Sequence, residues 1–77
     1  MLQLQQLEQL ITFADQGTLS KAAEVVLISQ PSLTRNMQSL EDDLSVQLFK
    51  RSKNKLILTE TGKDTVHRAR KLLKQRK

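Results

Sequence analysis

Leu4, Leu7, Leu10, Ile11 and Ala14 return at steps of three and four residues along the start of the chain, the interval at which side chains share one face of an α-helix. Gly17 breaks the pattern and supplies a stop, so the spacing predicts a first helix over about residues 3–15. Thr18 then stands where an N-cap is wanted, and Leu19, Ala22, Ala23 and Val26 predict a short second helix ending at Val26 or Leu27. The adjacent alanines leave room for another helix to approach closely, and they are also good helix formers in any helix.

The stretch LISQPSLTRNMQSLEDDL holds the single proline of the chain. It reads as a helix start with Ser29 as N-cap, Gln30 at N1, Pro31 at N2 and Ser32 at N3, since first-turn amides have no acceptor within the helix and proline lacks one without loss. Ile28 before the cap and Leu33 at N4 have the spacing of a hydrophobic staple. At about 100° per residue, Leu33, Met37, Leu40 and Leu44 form one narrow stripe, while Pro31, Arg35, Gln38, Ser39 and Asp42 gather on the opposite face. One side of this third helix is core and the other is presented.

Beyond Leu44 the period changes. Phe49 to Arg51 and Leu56 to Leu58 read as two short strands around a turn of Ser52, Lys53 and Asn54, a hairpin with a basic tip. Thr59 caps a fourth helix over about residues 60–75, with Val66, Ala69, Leu72 and Leu73 on one stripe and Arg68, Arg70, Lys71 and Lys74 around it.

Composition narrows what such an arrangement can do. The chain has 77 residues and a net charge of +5, small enough that folding buries only about 60% of the unfolded surface. It contains no cysteine and one histidine, so neither a disulfide framework nor a Cys/His metal site is expected to add stability. His67 has no second ligand at i+3 or i+4, and the cluster Glu41, Asp42 and Asp43 lies beside no histidine and reads as a solvated helix end. No phosphate-cradling glycine loop is present. No enzyme activity, metal or cofactor is expected. The longest apolar runs are far short of a membrane span, and no signal-peptide pattern opens the chain; a soluble, cytoplasmic protein is the expectation.

The charge is uneven. Residues 1–49 carry 2 basic and 6 acidic groups, residues 50–77 carry 11 and 2, so the net charges are −4 and +9. Such asymmetry points to a polyanionic partner or to a solvated tail. Helix, short helix, tight turn, longer helix with one polar face and basic hairpin together predict a mainly α fold: a winged helix-turn-helix with a three-helix core and a small β-hairpin wing, followed by a linker helix. The third helix offers Gln30, Pro31, Ser32, Thr34, Arg35 and Gln38 as candidate DNA contacts, the wing Arg51, Lys53, Asn54 and Lys55. Pro31 is either a rigid helix start or also an apolar contact for a thymine methyl; Arg35 is either a base reader or a solvated surface arginine.

Residues 17–62, GTLSKAAEVVLISQPSLTRNMQSLEDDLSVQLFKRSKNKLILTETG, resemble the amino-terminal domain of LysR-type transcriptional regulators. The resemblance rests on Ala22-Ala23, Ser29-Gln30-Pro31, Leu33-Thr34-Arg35, Leu40-Glu41, Leu48-Phe49 with Arg51, and Leu58-Thr59 with Thr61-Gly62. It implies sequence-specific binding of double-stranded promoter DNA, with residues matching Gln30, Pro31, Thr34 and Arg35 in the major groove and the basic wing in the adjacent minor groove. It further implies that residues 1–58 form the DNA-binding unit and 59–77 a linker helix. That helix would join two copies through Val66, Ala69, Leu72 and Leu73, leaving its flanking arginines and lysines free for phosphate. Three departures are expected to matter. Ser45 stands where the family usually has glycine, so either the cap after the third helix is not left-handed or serine carries a strain of about 1 kcal/mol. Asn54 replaces a frequent wing arginine, which passes the minor-groove contact to Lys53 or Lys55. The chain ends before the effector-sensing domain of these regulators, so it is expected to be a piece of a longer protein. The rival reading is a protein-interaction module whose fourth helix docks on a partner or a membrane surface; the lack of an aromatic on its stripe argues against the membrane.

Overall fold

Leu7, Leu10 and Phe13 on the first helix and Leu33, Met37 and Leu40 on the third meet in one core. The computed structural model of the chain describes residues 4–74. Its elements in chain order are α1 (Leu4–Gln16), α2 (Leu19–Val26), α3 (Gln30–Leu44), β1 (Phe49–Ser52), β2 (Lys55–Leu58) and α4 (Glu60–Lys74). This is the mainly α winged helix-turn-helix with a following helix. Leu10, Leu33, Met37, Leu40 and Leu48 are fully buried, each contributing roughly 1.5–3 kcal/mol of transfer free energy.

The α1 stripe differs from its sequence reading at both edges. Leu4 is 42% exposed at the first turn, whereas Phe13, which the leucine spacing passes over, is buried and meets the Phe49 ring edge-on at a centroid distance of 5.3 Å. That contact ties α1 to the base of the hairpin. Gln9 is also buried, its side-chain oxygen accepting a 2.9 Å hydrogen bond from Asn36 on α3. Such a pair satisfies two amides that leucine spacing cannot reveal.

The turns follow the local chemistry. Gly17 has φ 84° and its amide donates to Phe13 O, a left-handed helix end that glycine adopts at little cost. Thr18 caps α2 by accepting from the Lys21 amide. Leu27 closes α2 at φ 63° with its side chain 87% exposed. Ser45 likewise closes α3 at φ 57°, so the cap is left-handed and the serine carries the strain.

Between α3 and the hairpin the chain is held from both sides. The Glu41 carboxylate accepts from the amides of Leu48 and Phe49. On the other side the Thr59 hydroxyl donates to Gln47 O and the Thr59 amide to Leu48 O. Gly62, in the first turn of α4, lies so close that a Cβ there would come within 2.3 Å of Leu48 O. A glycine is therefore required by space at this position.

Candidate nucleic-acid interface

The start of α3 is built as its sequence suggests. The Ser29 hydroxyl accepts from the Ser32 amide at 3.2 Å and Pro31 occupies the first turn. With Leu33, Met37 and Leu40 committed to the core, helical geometry turns Gln30, Pro31, Arg35 and Gln38 outward, where all four are exposed; Ser32 and Thr34 are half-buried at the edges of that face. The Ser32 hydroxyl oxygen accepts from Ser29 Oγ at 3.0 Å and from Arg35 Nη2 at 3.4 Å. Ser32 thus steers the guanidinium along the helix toward its N-terminal end and leaves most of its five donors free.

The hairpin corrects the sequence reading of the turn. Ser52 and Lys55 pair as the last rung of the ladder, so the turn is the two residues Lys53 and Asn54, with φ of 51° and 66°. Two successive left-handed residues make the turn whose twist matches a two-residue hairpin, and asparagine is suited to it where lysine is not. Phe49 opposes Leu58 and Arg51 opposes Leu56. This alternation buries Phe49, half-buries Leu56 and Leu58, and leaves Lys50, Arg51, Lys53, Asn54 and Lys55 exposed. Among the described residues no carboxylate pairs with these wing cations.

The outward face of α3 and the hairpin border a single cleft of about 260 Å³, with Thr34, Gln38 and Glu41 on one wall and Lys50 and Arg51 on the other. The structure therefore brings Thr34 and Gln38 beside Arg51, whereas Gln30, Pro31, Ser32, Arg35, Lys53, Asn54 and Lys55 do not line this cleft. Glu41 is the correction here: it is half-buried and bonded to two backbone amides at 2.7 and 3.0 Å, while Asp42 and Asp43 remain on the exposed side. The signal for it was present only as a leucine-glutamate pair in the resembled motif.

Along α4 the predicted stripe divides. Val66 and Ala69 are buried in the chain's own core, although Ala69 also lines the groove beside Leu72. Leu72 is 49% exposed and Leu73 half-buried, and Leu72 edges a groove of about 390 Å³ shared with Leu7, Leu44 and Val46. The expectation of free flanking cations is also corrected in part, because Arg68 pairs with Asp64 at 3.0 Å and Arg70 with Asp15 on α1. The hydrogen bond from Arg70 holds the Asp15 carboxyl below its ordinary 3.8 and raises the guanidinium in turn. Lys71 and Lys74 stay exposed. Among the described residues no His, Cys, Asp or Glu cluster could hold a metal ion, and no helix is long and apolar enough to cross a membrane.

Residues 4–63 match the family model described as bacterial regulatory helix-turn-helix protein, lysR family. An uncharacterised HTH-type transcriptional regulator of Escherichia coli (strain K12), YbhD, is 37% identical over 73 residues, or 95% of this chain and 23% of the relative. The HTH-type transcriptional regulator ClcR of Pseudomonas putida is 40% identical over 72 residues, or 94% of this chain and 24% of the relative. The chain thus spans about a quarter of the length of these curated relatives. Among solved structures, CbnR_DBD in its complex with DNA superimposes with a TM-score of 0.87 at 38% identity, covering 95% of this chain and 84% of that one.

Proposed function

Because the chain belongs to the LysR family and is the DNA-binding domain of a transcriptional regulator rather than an enzyme, we propose that α3 enters the major groove of a promoter duplex and the wing the adjacent minor groove. Arg35 reads a base edge, with guanine the natural partner of a guanidinium, and Gln30, Thr34 and Gln38 supply shorter-range hydrogen bonds. Pro31 stiffens the tip that carries them and Ser32 orients Arg35. On the wing, Lys53 and Lys55 follow the phosphates into the minor groove, flanked by Arg51 and Asn54.

The observation that carries this reading is the shared cleft: Thr34 and Gln38 of α3, hydrogen-bonding and uncharged, face Lys50 and Arg51 of the hairpin across one space, and among the described residues no carboxylate pairs with those cations. Groove and phosphate contacts need those two chemistries side by side. The boundary at residues 58 and 59 is one of task, reading before it and linking after it, since α4 shares the core as far as Ala69. Two copies join through the distal half of α4, with Leu72 and Leu73 as the apolar contact, and so present two copies of α3 to half-sites of a twofold-symmetric site. Any cytoplasmic, nucleoid-associated location follows from binding the promoter duplex.

Selection from a randomised duplex pool tests the reading. The expected product is a short motif repeated with twofold symmetry, bound with log K falling by about 0.9 per phosphate contacted as log salt rises. Enrichment of no motif, with equal binding of every duplex, would overturn sequence reading by α3; an enriched single half-site would overturn the paired arrangement.

A further inference from the structure

The wing leaves the domain at Phe49: β1 is exposed from Lys50 to Ser52, and on β2 only Leu56 and Leu58 are half-buried, packed against the core. The cleft of about 260 Å³ separates its cationic wall from α3. The distance between wing and α3 is therefore set where the hairpin joins the body, by Leu56 and Leu58 against the core and by the hydrogen bonds at the hairpin base. At that base one oxygen of Glu41, on the last turns of α3, accepts from both Leu48 N and Phe49 N. The opposite edge of the same segment is bonded to Thr59 and pressed against Gly62. A hairpin of four residues per strand extends about 13 Å, so a rotation of about 10° at its base moves the tip by about 2 Å, enough to lose a phosphate contact. A carboxylate near a helix C-terminus and facing a polyanion is electrostatically misplaced unless local donors compensate it, and two backbone amides do so here.

Resting on the proposed reading of DNA, we infer that Glu41 is a positioning residue: it sets the spacing between the major-groove helix and the minor-groove wing without touching DNA. Removing its carboxylate frees the wing while α3 still reads. The test is a double-mutant cycle on the duplex that the wild-type chain enriches from a random pool. Lys53→Ala is measured in wild-type, Glu41→Ala and Glu41→Gln backgrounds at a temperature where circular dichroism finds each chain folded. Lys53→Ala is expected to weaken wild-type binding about fivefold and Glu41→Ala binding less than twofold, because the wing contact is already lost there. Glu41→Gln, whose amide oxygen can still accept from both amides, is expected to restore most of the fivefold effect. Arg35→Ala should weaken binding by the same factor in all three backgrounds, which a general loss of fold would not preserve. Should Glu41→Ala fail to fold, Glu41→Asp, which keeps the charge but falls a methylene short, takes its place. Equal effects of Lys53→Ala with and without the Glu41 side chain would overturn the positioning role while leaving DNA reading intact. A wild-type chain that enriches no duplex would overturn both, and the two failures are thereby distinct.

Discussion

Ser45 holds φ 57° at the end of α3, a conformation that costs a residue with a side chain about 1 kcal/mol relative to glycine. The residue type alone left that point open; the backbone closes it, because the helix must turn sharply for Leu48 to reach the core. Gly62 is the reverse case, ordinary in sequence and tightly confined in space, and Gly62→Ala is expected to lower stability by about 3 kcal/mol in a thermal or urea melt, since its new methyl meets Leu48 O. Arg35 belongs to this scale too. Arg35→Ala should lower affinity for an enriched duplex by about 1–3 kcal/mol and for random duplex far less, as read by fluorescence anisotropy; equal losses on both would make it a phosphate contact. The outward place of Arg35 was legible from the leucine stripe, whereas its bond to Ser32 was not, because a side-chain rotamer is not encoded in helical spacing.

Among the elements, α3 and the hairpin carry the most information. Every N-cap read from sequence is in place, since Thr18, Ser29 and Thr59 each accept from the amide three residues on, a purely local interaction. The hairpin turn was read one residue too long because Lys53 is not a residue that favours positive φ. Asn54→Gly should stabilise the fold by about 0.5–1 kcal/mol by relieving the second left-handed position while lowering duplex affinity by less than Lys53→Ala does; unchanged affinity would remove Asn54 from the DNA contacts. For α4 the split of its stripe predicts that Leu72→Glu weakens pairing of two copies by at least tenfold in sedimentation equilibrium while the melting temperature of the single chain stays within about 2 °C, since Leu72 is half-exposed. A large fall in that temperature would mean that Leu72 belongs to the core.

At the scale of the whole molecule, α4 is tied back to α1 by Val66 and Ala69 in the core and by Arg70 to Asp15 at the surface. The folded Asp15 carboxyl lies below 3.8, so it binds protons less readily than in the unfolded chain. Its contribution to stability is present above that ordinary value and is lost as pH falls through the lowered folded value. Asp15→Asn should therefore lower stability at neutral pH, by a small amount that shrinks further in high salt because both groups are half-exposed, and should match wild type once the pH has fallen below the lowered folded value. A deficit that persisted in strong acid would assign the effect to packing instead of charge.

Sequence alone determined the helices to within a residue at their described ends, the limits expected at residues 3 and 75 lying outside the described residues, and with them the caps, the presented face of α3 and the concentration of cations after residue 49, because each depends on interactions within about four residues or on composition. Only the tertiary structure decided which of the leucine, valine and alanine positions on α4 remained available, that Phe13 and Phe49 would meet, and that Glu41 would turn from solvent to the hairpin base. Those outcomes depend on groups that lie from seven to more than fifty residues apart, brought together by burial of a shared core, and residue spacing along one element carries no information about the neighbour it will face.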